Sequence, residues 1–228
     1  MTRRLVFSLF FLAVAIATAV AWNVRTEQVP NPPRVAASSN VRDHGAKGDA
    51  SDDTQAIQKA INSAGLLGLV QFPKGTYRIT RTITIDLAKT GPIVIRGDGP
   101  ARIINAADGP AFQFIGTHAG TADPKTVKPA VWNERMPRME GLEIVGEHTN
   151  GDGIEAAGTM QLTIDRVLIR KCRHGIHLTG RNRNVIIANS HIYENRGIGI
   201  FLDAVNLHQM NVTACHVSYC DDGGIVCK

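Results

Sequence analysis

The sequence predicts an all-β chain wound as a single-stranded parallel β-helix, a solenoid with one capping α-helix at its N-terminal end. Three observations predict it. A Gly-Ile pair recurs as Gly153-Ile154-Glu155-Ala156, Gly175-Ile176-His177-Leu178, Gly199-Ile200-Phe201-Leu202 and Gly224-Ile225-Val226-Cys227, at spacings of 22, 24 and 25 residues, a period that belongs to solenoids. A second column, Ile164, Ile187 and Val212, runs in phase with it and is followed five residues later by Ile169, Ile192 and Val217, so that two strands per rung repeat independently. From Gly65 onward the apolar residues fall in short alternating runs such as Thr82-Ile83-Thr84-Ile85 and Ile93-Val94-Ile95, which is strand periodicity and not the long 3.6-residue pattern of helical repeats.

The chain opens with Arg3 and Arg4, an uncharged apolar run over residues 5–20 and an Ala19-Val20-Ala21 site. This is the pattern of a secretory signal peptide, and cleavage after Ala21 is predicted. The run falls short of the ~20 residues a spanning helix needs, so no stable membrane span is expected after cleavage. Val6 stands where a twin-arginine signal prefers Phe, which favours the ordinary secretory route and a secreted, periplasmic or cell-surface protein. Residues 22–40, with Pro30, Pro32, Pro33 and an Ala/Ser stretch, read as an exposed linker.

The β-helix domain is predicted over residues 41–228. Its entry is a polar Gly/Asp turn followed by the helix: Asp52 is the expected N-cap with Gln55 three residues on, Ala56, Ile57, Ala60, Ile61 and Ala64 form one apolar stripe, and Gly65 stops the helix. Between rungs lie short polar turns such as Ala188-Asn189-Ser190 and Tyr193-Glu194-Asn195, where Asn tolerates the left-handed conformation of tight corners. Gly97-Asp98-Gly99-Pro100 has no helix after it and reads as a turn, not a phosphate loop. Residues 116–137 break the rhythm and are expected to form an inserted loop. The last residues, Ile225-Val226-Cys227-Lys228, fall inside a rung with no cap after them, which predicts a domain incomplete at its C-terminus.

At 228 residues and 43% hydrophobic content the chain can bury one sizeable core. Removing the leader takes two of the 25 basic and none of the 20 acidic residues and lowers the net charge from +5 to +3, a balance that gives no argument for nucleic acid. Cys172, Cys215, Cys220 and Cys227 make no C-x-x-C pair and have no His at finger spacing, which argues against zinc and leaves buried thiols and a disulfide both open.

Three blocks match a known pattern in order: D-x-G-A-K-G-D from Asp43, D-D-T-x-A-I-Q-x-A-I from Asp52, and F-P-x-G-T-Y-x-I from Phe72. Together they resemble the opening of the pectate-lyase-like superfamily of right-handed parallel β-helices, which includes rhamnogalacturonase-like proteins, polygalacturonases, alginate epimerase modules and phage tailspikes. The resemblance implies a right-handed coil and a carbohydrate-facing protein; the reaction must come from individual residues.

In a rung reading Gly-Ile-x-Leu, alternation turns the third residue outward. Glu155, His177, Phe201 and Val226 then form one exterior column and Ala157, Thr179, Asp203 and Lys228 the next. In the superfamily this face often holds the sugar chain, so Glu155, His177 and Asp203 are the catalytic candidates for glycoside hydrolysis or proton abstraction from a uronate. Arg173, Arg181 and Arg183, with Lys171 and His174 nearby, are candidates to pair with uronate carboxylates. Phe201 is the candidate to stack on a sugar ring. Asn150-Gly151-Asp152-Gly153-Ile154 resembles the polygalacturonase Asn-Thr-Asp-Gly-Ile block, but the next rung carries Arg173-His174 where that family has an Asp pair. Asp203 lines up with an acidic residue of the epimerase modules, whose Asp-Pro-His-Glu block is replaced by His177-Leu178-Thr179-Gly180.

The lyase branch would imply calcium, for which Asp49, Asp52 and Asp53 or Asp221 and Asp222 offer oxygen ligands. Neither cluster shows a full ligand loop, so no metal ligand is assigned. The expected function is lyase or glycoside hydrolase action on a uronate-containing, pectin-like acidic polysaccharide. The alternative is a non-catalytic carbohydrate-binding or surface-adhesion β-helix, or a truncated inactive fragment.

Overall fold

The computed structural model describes residues 38–65 and 68–228. The predicted leader and most of the predicted linker lie outside these residues. The last three linker residues do not: Ser38–Asn40 form a strand paired with Leu69–Ile79, so the β-sheet is entered before residue 41.

The chain is a right-handed parallel β-helix. Every strand pair runs parallel, and each full turn has three sides where the repeat predicts two. One side stacks Thr84, Gln113, Glu155, His177, Phe201 and Val226 in register. The second stacks Val70, Ile95, Met139, Ile164, Ile187 and Val212. The third stacks Tyr77, Ile103, Ile144, Ile169, Ile192 and Val217. Both apolar columns found by spacing point inward, where most of their members are fully buried. They meet Ile154, Ala156, Ile176, Leu178 and Ile200 from the first side in one continuous core. Each buried Ile or Leu there contributes roughly 1.5–3 kcal/mol.

The cap is as predicted in kind and one residue off in detail. The helix is Thr54–Ser63, with Asp53 and not Asp52 at its N-cap. The two aspartates divide the work: Asp52 accepts from the Thr54 amide and hydroxyl, while Asp53 turns back to accept from the Lys47 and Gly48 amides. Ile57, Ala60 and Ile61 are buried over the first rung, and Gly65, at φ +65°, ends the helix. A single helical turn at Leu87–Thr90 was not predicted.

The recurring glycine has a packing cause. A Cβ at Gly153 would lie 2.4 Å from the Gly175 carbonyl oxygen, one at Gly175 2.5 Å from that of Gly199, and one at Gly199 2.6 Å from that of Gly224. At this corner successive rungs approach backbone to backbone. The other corners differ from expectation. Asn189 is left-handed (φ 50°) as predicted, but in the next corner it is Glu194 (φ 54°) and not Asn195. Arg166, Lys171, Ala214 and Tyr219 take the same conformation one rung before or after. A cost of about 1 kcal/mol at each such residue is offset by ladder pairing on both sides. Asn195 serves otherwise, accepting from the Cys172 amide at 3.0 Å.

Asn182 shows how such side chains tie rungs together. Its Oδ1 accepts from the Thr159 amide (3.1 Å) and hydroxyl (2.7 Å), and its Nδ2 donates to the Thr179 (2.9 Å) and Ala156 (3.2 Å) carbonyls. Asn182→Ala strands a buried amide and is expected to cost about 3 kcal/mol, read as a lower urea midpoint with an unchanged slope. A shift below 1 kcal/mol would show that water replaces the amide.

Residues 116–137 are the predicted insertion, and they include two short 3-10 turns, Pro124–Thr126 and Pro129–Glu134. Val127, Val131 and Trp132 pack on Met160, and buried Glu134 accepts from the Thr117 amide. Arg181 donates to the Gly120 carbonyl (2.7 Å), and Arg183 to those of Thr121 (2.8 Å) and Ala122 (3.0 Å). All four cysteines are free thiols; Cys172 is buried, and burial pushes its thiol up to about 12.

Candidate functional site

The predicted outward column exists in register, but it is not a bare surface. His177 and Phe201 are only 8% and 7% exposed. Their rings stack 5.0 Å apart at 15°, and His174 from the preceding corner packs on both, 5.4 Å from His177 and 4.9 Å from Phe201. Lys228 Nζ lies 5.4 Å from the Phe201 ring centre. Phe201 thus walls the site from within instead of offering a free face.

The centre of the arrangement is Asp152, which alternation could not find because it lies in a turn and not on a strand. The turn is fixed from below: Asn105 Nδ2 donates to the Asp152 carbonyl at 3.0 Å. The carboxylate is fully buried and has four donors. Its Oδ1 accepts from Arg173 Nε (2.8 Å) and the His174 amide (3.0 Å). Its Oδ2 accepts from Arg173 Nη2 (2.7 Å) and pairs with His177 Nδ1 at 3.0 Å. Burial works to raise its pKa, but the Arg173 and His177 hydrogen bonds and the Arg173 charge outweigh it and hold the carboxyl at about 2. An ionised carboxylate only accepts, so His177 carries a proton on Nδ1. Its Nε2 then faces Asp203 Oδ2 at 3.3 Å, on a side chain 45% exposed. Glu155, one rung back, accepts from Gln113 Nε2 at 2.9 Å.

His177 is therefore gripped on one nitrogen by a buried anion and open to a partly exposed carboxylate on the other. Burial disfavours its charged form, but the hydrogen bond and charge of Asp152, then Asp203 and Glu155, prevail and raise its pKa above the usual value. An imidazole held in this way is able to take up or give a proton at Nε2.

The predicted site residues divide accordingly. Glu155, His177 and Asp203 come together. Arg173 is present as the partner of Asp152, while Arg181 and Arg183 are turned to the insertion and hold its carbonyls. The calcium candidates Asp49, Asp52 and Asp53 are engaged by Ser51, Thr54, Thr80 and the Lys47 and Gly48 amides. Ligand atoms of Asp152, Glu155 and His177 do lie within 4.8 Å of one another. Arg173 already neutralises both Asp152 oxygens, and His177 Nδ1 donates into the same carboxylate. This trio fits a hydrogen-bonded acid–base group and not a cation site.

The pair makes stability depend on pH in two directions. Asp152, depressed from 3.8 to about 2, contributes about 2 kcal/mol that is present above pH 3.8 and lost as pH falls through about 2. His177, raised above 6.5, contributes below pH 6.5 and loses its share as pH rises through its higher folded value. The melting temperature is expected to be highest between roughly pH 4 and 6.5, and Asp152→Asn should flatten both flanks. A maximum at pH 8 would contradict this arrangement.

A parallel β-helix carrying polar side chains on one outer column defines the class of protein as a β-solenoid. Residues 38–136 match the family described as rhamnogalacturonase A/epimerase, pectate lyase-like, and residues 133–228 match the right handed beta helix region. The chain belongs to the pectate-lyase-like right-handed β-helix superfamily. Among solved structures it is similar to ORF18 of Geobacillus virus E2, at 22% identity and a TM-score of 0.62 over 93% of this chain and 39% of that one. It is also similar to the A-module of the Azotobacter vinelandii mannuronan C-5 epimerase AlgE6, at 20% identity and a TM-score of 0.58 over 82% of this chain and 57% of that one. Both likenesses concern the fold. The chain spans less than two thirds of the length of either structure. No curated protein sequence matches it.

Proposed function

We propose that this is an exported polysaccharide-active β-helix protein that acts on a uronate-containing, pectin-like chain by lyase or glycoside hydrolase chemistry. The observation that carries the reading is His177, held at Nδ1 by buried Asp152 and presenting Nε2 beside Asp203 on the outer face. The family match and the epimerase likeness support a carbohydrate as the ligand.

Elimination suits this centre best. Neutral His177 takes the proton from C5 of the uronate through Nε2, and the C5–H electron pair becomes the C4–C5 double bond as the C4–O bond breaks. The imidazolium then returns the proton to the leaving oxygen. Lys228, whose Nζ lies 5.4 Å from the Phe201 ring centre, is a cation placed to balance a substrate carboxylate, while Arg173 is committed to Asp152. Because the base is the neutral form, activity rises with pH through the raised His177 pKa, in the same range where stability from the pair declines.

The test is incubation with pectin, polygalacturonate and alginate, following unsaturated products and new reducing ends. Unsaturated ends support elimination, and reducing ends alone support hydrolysis. Binding with neither product would replace the enzyme reading by the non-catalytic carbohydrate-binding one.

A further inference from the structure

His174 is seated as carefully as His177, and in the opposite sense. The Ile198 amide donates to its Nδ1 at 3.0 Å. A backbone amide can only donate, so Nδ1 is the unprotonated nitrogen and the proton of the neutral ring is on Nε2. The seat is made by a glycine: a Cβ at Gly197 would lie 2.8 Å from both Nδ1 and Cε1 of this ring and 2.8 Å from the Arg173 carbonyl oxygen. Nε2 has no hydrogen-bond partner among the described residues. It is also absent from the buried polar atoms that lack one, so it opens to solvent beside the His177 and Phe201 rings.

We infer that His174 is a hydrogen-bond donor of the site, offering Nε2–H to an oxygen of the bound uronate saccharide while its neighbour His177 moves the proton. This rests on the polysaccharide reading above and gives that site a specificity element. Charged groups around the ring act on it from both sides: burial, Arg173 and His177 oppose its protonation, while Asp152 and Asp222 favour it, and the balance lowers its pKa. Two adjacent histidines are thus driven apart, one towards imidazolium and one away from it, which assigns them different tasks. His174 binds and does not act as a base, because its Nδ1 is occupied by the Ile198 amide and its only free nitrogen already carries the proton.

The test has two arms. In the ligand-free protein, long-range 15N–1H spectra of the histidine rings are expected to show His174 as the Nε2–H tautomer from pH 6 to 8. A proton on Nδ1, or an imidazolium at pH 7, overturns the inference. The second arm titrates trigalacturonate, trimannuronate and triguluronate. His174→Asn places an amide oxygen where Nδ1 was and keeps the Ile198 bond, yet lacks the donor. It should hold its melting temperature and lose roughly tenfold in affinity. His174→Gln, with an N–H near the former Nε2, should recover part of that affinity, and Gly197→Ala should lose affinity by displacing the ring. An Asn variant that binds as the wild type does would make His174 merely structural and end the inference. If none of the three saccharides binds the wild-type protein, the uronate reading fails and takes the ligand named here with it. The ligand-free spectra still decide the tautomer on their own.

Discussion

His177→Gln is expected to lower turnover on the responsive polysaccharide by 10²- to 10⁴-fold, the usual worth of a positioned acid–base group, with a much smaller change in KM. Gln retains an N–H near the Nε2 position, so hydrogen bonding to Asp203 survives while proton transfer does not. Asp152→Asn tests the same unit from behind. It removes the anion that orients Nδ1 and leaves Arg173 without its partner, so turnover and stability should fall together. The pH–rate profile separates the two effects: in Asp152→Asn the ascending limb moves to lower pH, because the charge that raised the His177 pKa is gone. His177→Gln turnover within twofold of wild type would remove His177 from the chemistry and leave the column a binding surface.

Gly175→Ala is expected to damage the coil strongly for a single added methyl group. Its Cβ would stand 2.5 Å from the Gly199 carbonyl oxygen, 2.6 Å from Ile192 Cγ2 and 3.2 Å from Asn195 Nδ2. Two of these neighbours are backbone or packed core, so rungs must separate locally, at a cost of ~3 kcal/mol. Gly180→Ala is the control. That glycine has φ +62° and only the Ala157 Cβ within 4 Å, at 3.9 Å, so backbone strain of about 1 kcal/mol is all it should show. Urea midpoints that fall equally for the two variants would mean that crowding at position 175 costs no more than backbone strain does at position 180, the rungs relaxing around the methyl.

These contrasts explain what the amino-acid sequence discloses and what it withholds. Columns inside a β-helix repeat because every rung needs an apolar residue at the same depth, so Ile164, Ile187 and Val212, or Ile169, Ile192 and Val217, can be read from spacing alone. The glycine column is legible for the same reason, since each rung repeats the close approach. Glu155, His177 and Asp203 were legible as an outward face because strand alternation is strict. Asp152 is not, although it lies in the block from Asn150 to Ile154 that resembles a family motif. Its carboxylate leaves a turn and crosses to the next rung, and no period records that reach. Arg181 and Arg183 were misdirected by the same limit. Their guanidinium groups answer to residues 116–137, an insertion without repeat, whose carbonyls have no signature in the chain. The N-cap was displaced by one because Asp52 and Asp53 are adjacent and both satisfy turn amides.

One further consequence follows from where Asp152, His177 and Asp203 sit. The three belong to three successive turns of the coil, and each contact of the centre is a contact between neighbours in the stack. The site is thereby a gauge of winding. Slipping one strand by a single residue would swap every outward side chain for an inward one, sending His177 into the core and Leu178 to the surface. Refolding can therefore be timed by the return of the His177 ring to its seat against Phe201, read from its NMR signals, with a lag expected after compaction while the right pairing is found among similar rungs.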